Sequence, residues 1–124
     1  MTIKEMQKEV HELAKSKGWW DKPPEFGTLM ALVMSEPIEA LEEARKGKKH
    51  AYYDCSKRKD DICTKEIYCG ECEHGKPCGI PLELADAVIR IMDTCEYYGI
   101  DLEAAIMEKH QYNKTRPYKH GKSF

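Results

Sequence analysis

The sequence lacks the long hydrophobic run that a membrane span requires. Its longest wholly aliphatic stretch is the six residues Leu29–Met34, whereas a helix that crosses a bilayer needs about 20 apolar residues. The polar opening segment MTIKEMQKEVHEL also contains no apolar core of a secretory signal. We therefore expect a cytoplasmic protein that has no membrane partner.

The chain also has little excess charge of either sign. Lys and Arg number 20 and Asp and Glu number 22, so the formal net charge is -2 although 34% of the residues are charged. This balance argues against a dedicated polyanion binder and against a disordered acidic tail. We therefore do not expect a nucleic-acid partner. A length of 124 residues is sufficient for one domain with a single core.

No segment shows a convincing strand pattern, and the apolar residues recur at helical spacing instead. Thr2 and Glu5 form a capping box at the start of the first predicted helix, and Gly18 ends that helix. Three more helices are predicted, with the approximate ranges 28–45, 81–98 and 101–112. The intervening residues 48–79 are polar and show little periodicity. We therefore predict a single all-α domain over residues 1–124, a four-helix bundle with a cysteine-rich irregular insertion between helices two and three.

Several side chains of the helical segments have structural interpretations. Pro37 removes one backbone hydrogen bond inside the second helix, so we expect either a kink or a new helix start with Ser35 as its cap. The charged residues Glu42, Glu43 and Arg45 are expected to form a solvated face. The methionines expected in the core are Met30, Met34, Met92 and Met107.

Two acidic pairs, Glu36/Glu39 and Glu83/Asp86, lie within otherwise apolar helical stretches. Residues three apart on a helix lie on one face, and here that face also carries Leu, Val, Ile and Ala. A buried carboxylate is costly unless it is paired or binds a metal. Two such pairs on facing helices would provide the oxygen ligands that hard cations prefer. We therefore predict that these four acids bind Mg²⁺ or Mn²⁺.

Structural alternatives to this metal site remain open. The first acidic pair could belong to the solvated face of the second helix. Asp86, Arg90 and Asp93 have the spacing i, i+4, i+7 and could form a row of salt bridges along the third helix. Asp93 is expected to have a structural role.

Five of the six cysteines lie within residues 55–78. Such a cluster indicates disulfides in an extracellular protein, but in the cytosol thiols stay reduced and the cluster indicates a metal site. Cys69-Gly-Glu-Cys72 resembles a zinc knuckle, in which one tight turn supplies two thiolates. We predict that the insertion 48–79 binds a structural zinc ion. The predicted ligands are Cys63, Cys69, Cys72 and Cys78, with Cys55 as the substitute.

Other roles for these cysteines also remain open. His50 and His74 are further candidate ligands, and an iron–sulfur cluster, disulfides or free thiols are alternatives to zinc. The sixth cysteine, Cys95, is expected to be buried in the core.

Three segments of the chain together resemble the MazG-like family of all-α nucleoside triphosphate pyrophosphohydrolases. They are SEPIEALEEARKG, ELADAVIRIMD and NKTRPYKHGK. In order, they contain an E-x-x-E pair, an E-x-x-D pair and a basic tail with Asn and Lys. The resemblance does not include residues 48–79, and Pro37 inside the first pair is a further departure from the family pattern.

The resemblance implies a Mg²⁺-dependent enzyme that hydrolyses a nucleoside triphosphate to the monophosphate and pyrophosphate. The catalytic metal ligands would be Glu36, Glu39, Glu83 and Asp86. The contacts to nucleotide or phosphate would be Asn113, Lys114 and Arg116. Trp20 is a candidate for stacking on the nucleobase, although a tryptophan beside a proline loop more often packs the end of a bundle. The resemblance also implies a homodimer or homotetramer. A separate physical argument favours assembly as well, because four short helices leave apolar faces uncovered.

Two alternative functions remain open. A non-catalytic, zinc-containing binding module would use the acid pairs structurally and the insertion as a contact surface. The same fold could instead act on a phosphoribosyl-ATP-like nucleotide. A requirement for Mg²⁺ or Mn²⁺ that is distinct from tightly bound zinc would separate the enzyme from the binding module.

Overall fold

The computed structural model describes residues 1–48, 50–54 and 76–123. This part of the chain is mostly helical, which confirms the predicted all-α class. The helices are α1 (Ile3–Ser16), α2 (Phe26–Arg45), α3 (Ile80–Tyr97) and α4 (Leu102–Lys114). The remaining elements are two short strands, β1 (Tyr52–Asp54) and β2 (Lys76–Cys78), and a 3₁₀ turn (Tyr118–Gly121). Within the described ranges, no helix has both the length and the apolar character needed to cross a membrane.

The chain divides into two compact units, and the boundary falls inside α3. The first unit comprises Met1–Lys22 and Met92–Phe124, and the second comprises Pro23–Ile91. The first therefore contains α1, α4 and the C-terminal end of α3, whereas the second contains α2, the strand pair and the rest of α3. One domain over residues 1–124, with a metal-binding insertion at 48–79, stays a prediction.

Helices α1 and α4 begin at the predicted caps. Thr2 Oγ1 accepts a hydrogen bond from the Glu5 backbone N (3.1 Å), and Glu5 Oε2 accepts one from the Thr2 backbone N (2.7 Å). Asp101 Oδ1 accepts from the Ala104 backbone N (3.0 Å) at the start of α4. An ion pair between Lys4 Nζ and Asp101 Oδ2 (3.5 Å) links the starts of the two helices. Both predicted caps are confirmed, because such signals act within one turn.

Helix α2 runs through Pro37 without a new start. It extends from Phe26 to Arg45 as one helix, so the expected alternative of a second cap at Ser35 is wrong. The Ser35 hydroxyl instead donates back to the Leu32 carbonyl within the helix (2.6 Å). The proline costs one intrahelical hydrogen bond, but it leaves both acids of the first pair on the same helix.

The two ends of the predicted insertion form an antiparallel strand pair. Tyr52 lies opposite Cys78, and Asp54 lies opposite Lys76. The Tyr52 hydroxyl also donates to Glu43 Oε2 on α2 (2.8 Å). The expectation of a wholly irregular insertion is therefore wrong at its ends. Strands of three residues are too short to show the alternation by which strands are predicted.

Gly79 connects β2 to α3 in a conformation that favours glycine. Its φ is 107°, and a Cβ at this position would lie 2.2 Å from the His50 backbone oxygen. The Gly79 carbonyl accepts from the backbone N of Leu82 (3.0 Å) and of Glu83 (3.1 Å) in the first turn of α3. The missing side chain therefore lets the backbone at His50, just before β1, lie directly against the residue that precedes α3, the helix that carries the second acidic pair.

Few large side chains fill the core of the described residues. The buried apolar residues are Leu29, Ala40, Cys78, Ala87, Met92 and Cys95. Met92 and Cys95 are buried as predicted, and burial raises the pKa of the Cys95 thiol. Met34 and Met107 are 67% and 55% exposed, so their predicted core positions are wrong. Helical spacing specifies a shared face but not whether a neighbouring element covers it.

Candidate metal centre

The two predicted acidic pairs meet within the second unit. Glu36 and Glu39 lie on α2, and Glu83 lies in the first turn of α3. One carboxylate oxygen from each of these three residues lies within 4.8 Å of the others. Glu36 and Glu83 are buried, whereas Glu39 is exposed. Three of the four predicted ligands therefore converge on one point, two from α2 and one from α3.

Asp86, the fourth predicted ligand, lies one turn after Glu83 and is half-buried. Burial raises its pKa, and the negative charges of Glu36 and Glu39 raise it further. Lys76 and Arg90 act in the opposite direction. Asp86 is therefore under the electrostatic influence of both acids of α2, although it is not one of the three residues whose oxygens converge.

The pKa of the Glu83 carboxyl lies well above that of an ordinary glutamate. Burial raises its pKa to about 7, with a hydrogen bond to Glu39 and repulsion from Glu39 as the next causes. The positive charge of Lys76 opposes this shift. A nearby cation stabilises carboxylates that are crowded together in this way.

The donor set fits a hard divalent cation. All of the donors are carboxylate oxygens, which Mg²⁺ and Mn²⁺ prefer over softer ions. Oxygen ligands on opposite sides of a Mg²⁺ ion are about 4.2 Å apart, since each lies about 2.1 Å from the ion. The observed spacing of up to 4.8 Å therefore requires only small movements of these side chains.

Arg90 provides a positive charge next to one of the converging acids. Its Nε donates to Glu36 Oε1 at 2.5 Å, and the two side chains are 43% and 6% exposed. The bond joins α3 to α2 rather than following α3 as the predicted salt-bridge row would. Asp93, the last member of that row, contacts His11 Nδ1 (2.7 Å) and accepts from Trp20 Nε1 (2.9 Å) in the first unit.

Glu43 is a buried acid that sequence analysis assigned to a solvated face. It accepts the hydrogen bond from Tyr52, so this assignment is wrong. Glu42 and Arg45 are exposed and form an ion pair (3.0 Å), as expected of such a face. The overlooked signal was spacing: Glu43 lies seven residues after Glu36 and three after Ala40, both of which are buried, and therefore on the buried side of the helix.

The predicted substrate contacts of the basic tail lie in the first unit. Asn113 and Lys114 are exposed at the end of α4. The Arg116 guanidinium lies 5.7 Å from the centre of the Tyr112 ring. Asn113 also lines a shallow surface groove on α4 together with Lys109. The contact of these residues with nucleotide or phosphate stays a prediction.

Trp20, the predicted nucleobase contact, is packed within the first unit. Its ring stacks on Tyr97 with the centroids 4.3 Å apart and the planes 16° apart. His11 meets it edge-on at 5.2 Å, and Asp93 accepts its N–H. These contacts give Trp20 the packing role that tryptophans near a proline loop more often have. Its neighbour Trp19 is 73% exposed.

The predicted zinc site falls mostly outside the described residues. The cysteines in that part of the chain are Cys55, Cys63, Cys69 and Cys72. Cys78 is buried at the end of β2, and its thiol donates to the Lys76 carbonyl (3.4 Å). The zinc ion and its ligands stay a prediction.

Comparison with known proteins does not assign the chain to a family. No protein-family model matches it, and no curated protein and no solved structure matches it either. The MazG-like resemblance therefore depends on the three sequence segments, and the convergence of the acidic pairs stands beside it as an independent structural observation.

Proposed function

We propose that the protein is a Mg²⁺-dependent hydrolase of the MazG-like type, which converts a nucleoside triphosphate into the monophosphate and pyrophosphate. One observation carries the proposal. Glu83 lies 44 positions after Glu39 in the sequence, yet the carboxylate oxygens of Glu36, Glu39 and Glu83 lie within 4.8 Å of one another. Acids that merely belong to solvated helix faces would not be expected to meet in this way, because burying a carboxylate next to other carboxylates is costly.

In this proposal the acids of α2 and α3 have distinct tasks. Glu36, Glu39, Glu83 and Asp86 hold the metal ion. The ion, when bound, supplies positive charge against the negative charge of the phosphate oxygens. Glu39 is exposed while Glu36 and Glu83 are buried. Glu39 is therefore the acid best placed to accept a hydrogen bond from a water molecule and orient it toward the substrate.

The remaining parts of the proposal come from the sequence. Asn113, Lys114 and Arg116 contact the nucleotide or its phosphates, as the resemblance implies. A zinc ion in the cysteine-rich segment orders that segment, since it is too polar to fold around a core of its own.

We also propose that the protein assembles as a homodimer or homotetramer. Support comes from apolar side chains that the single chain leaves in solvent within the second unit. They are Leu32, Ile38 and Leu41 on α2 and Leu84, Val88 and Ile89 on α3. Covering a side chain of this size contributes about 1.5–3 kcal/mol, so burial of several of them would favour association.

Substitution of two acids without a change of shape tests the proposal. We expect Glu39→Gln and Asp86→Asn each to lower Mg²⁺-dependent hydrolysis by about 100-fold or more, because each removes one charged ligand. Glu42→Gln is the matched control, since Glu42 is exposed on the same helix and pairs with Arg45. Hydrolysis that survives both substitutions in folded protein would contradict the metal-centre assignment.

A further inference from the structure

Arg90 on α3 and Glu36 on α2 form an ion pair between the two helices at the acid cluster. The guanidinium Nε donates to the Glu36 carboxylate, on the oxygen Oε1. The same carboxylate belongs to the three that converge. A cation of the protein itself therefore already contacts an oxygen-donor group that the proposed metal ion would need.

The two partners differ in their exposure to solvent. Glu36 lies within the long helix α2 and its side chain is only 6% exposed, whereas the Arg90 side chain is 43% exposed. A buried carboxylate without a counter-charge is strongly unfavourable, and arginine stays protonated under all ordinary conditions. When an ion enters the cluster, the half-exposed arginine is therefore the partner that can withdraw into solvent while Glu36 remains in place.

A released Arg90 would stay next to the bound ion. It lies one turn after Asp86 and on the same side of α3, so its guanidinium remains within reach of groups that the ion attracts. Planar guanidinium groups bind phosphate oxygens through two parallel hydrogen bonds. The side chain that balances the acids in the absence of metal can therefore bind the phosphate chain in its presence.

We propose that Arg90 is a substrate-binding residue that the metal ion releases. It pairs with Glu36 in the ion-free protein, gives up this carboxylate to the ion and then binds the phosphate oxygens of the substrate. The inference rests on the proposed function, since it requires a metal ion at the acid cluster.

Two binding measurements on Arg90→Gln test the exchange. The first is titration with Mn²⁺ alone, followed by the paramagnetic resonance signal of the free ion. Loss of the competing guanidinium should tighten Mn²⁺ binding about five-fold. The second is calorimetric titration of the Mn²⁺-saturated protein with Mn²⁺-loaded inorganic triphosphate. Loss of a charged hydrogen-bond donor should weaken this binding at least about ten-fold.

Two further variants separate this exchange from simpler effects. Lys76→Gln removes a positive charge that acts on both Glu83 and Asp86. This variant should tighten Mn²⁺ binding less than Arg90→Gln does. Arg90→Lys keeps the charge but loses the guanidinium fork. It should bind triphosphate with an affinity between those of the wild type and Arg90→Gln, and it provides the test if Arg90→Gln does not fold.

Results that differ from these expectations show whether the role of Arg90 or the proposed metal site is wrong. Mn²⁺ affinity that is unchanged or lower in Arg90→Gln would mean that Arg90 only joins the two helices, and this would overturn the inference. Unchanged triphosphate affinity would also overturn it. If the wild-type protein binds no Mn²⁺, or if Glu36→Gln leaves Mn²⁺ binding unaltered, the proposed function fails first and the inference falls with it.

Discussion

One carboxylate oxygen of Glu39 on α2 and one of Glu83 on α3 lie within 4.8 Å of each other. Two carboxyl groups this close repel each other when both are ionised, which favours a proton on one of them. The raised pKa of Glu83, about 7, indicates that Glu83 is the group that keeps its proton in weakly acidic solution. Metal binding at this cluster must therefore displace a proton as well as attract a cation.

We expect the stability of the ion-free protein to fall as the pH rises from about 4.5 to about 7. Over this interval the folded Glu83 still binds a proton that the unfolded chain has already lost, so the folded state loses relative stability as the pH increases. The raised pKa of Asp86 acts in the same direction. Thermal unfolding followed by circular dichroism in the presence of EDTA measures the effect.

Two controls accompany this pH series. Glu83→Gln should flatten the fall, since it removes the group with the largest shift. Mg²⁺ should raise the melting temperature more above the Glu83 pKa than below it, because the ion binds the deprotonated acids. A wild-type melting temperature that rises across the interval, or a fall in Glu83→Gln as steep as that of the wild type, would contradict the assignment of the proton to Glu83.

The hydrogen bond from Tyr52 to Glu43 should stabilise the strand pair against α2. We expect Tyr52→Phe to lower the free energy of unfolding by about 1–3 kcal/mol, because the buried Glu43 carboxylate loses a donor. Urea denaturation measures this change. Tyr118→Phe is the control, since Tyr118 is 88% exposed. Equal effects of the two substitutions would show that the Glu43 contact contributes nothing.

Substitution by alanine should have different effects on stability at two glycines. Gly79→Ala places a Cβ 2.2 Å from the His50 backbone oxygen at a φ of 107°, so we expect a loss of stability of at least about 1–3 kcal/mol. Gly27→Ala, inside α2 with nothing within 4 Å of its added Cβ, should be neutral or stabilise by up to about 1 kcal/mol. Melting temperatures of the two variants distinguish these outcomes, and an unaffected Gly79→Ala protein would contradict the close approach.

Trp20 should contribute to stability far more than Trp19. Trp20→Phe removes the N–H that donates to Asp93 and reduces the stacking on Tyr97. We therefore expect the free energy of unfolding to fall by about 1–3 kcal/mol. Trp19→Phe should change stability little, since that side chain lies in solvent. Denaturation of both variants measures the difference. If Trp20→Phe instead keeps its stability and binds nucleotide more weakly, Trp20 is the predicted base contact rather than a packing residue.

The helix starts and the acid cluster could be predicted because their signals are local or repeated. The caps at Thr2 and Asp101 act within three residues of the helix start. Glu36, Glu39 and Glu83 were selected because carboxylates at helical spacing within apolar segments need a partner. The structure places these three together, as their spacing within apolar helical segments had predicted.

Contacts between distant positions could not be predicted in the same way. The Glu36–Arg90 pair spans 54 positions, and no local pattern specifies which arginine meets which acid. Tyr52 pairs with Cys78 through backbone hydrogen bonds, which leave little trace in side-chain composition. Glu43 looked solvated because its partner, Tyr52, lies on a strand that was itself not predicted.

The most direct test of the central claim is product analysis after incubation with Mg²⁺ and a panel of canonical and modified nucleoside triphosphates, with phosphoribosyl-ATP included. We predict that at least one substrate is cleaved, that the triphosphates yield monophosphate and pyrophosphate by chromatography, and that EDTA abolishes the reaction. Diphosphate and free phosphate as products would contradict the proposed bond cleavage. An absence of turnover with every compound, in protein shown to be folded and to bind Mg²⁺, would contradict the enzymatic function and favour a binding module.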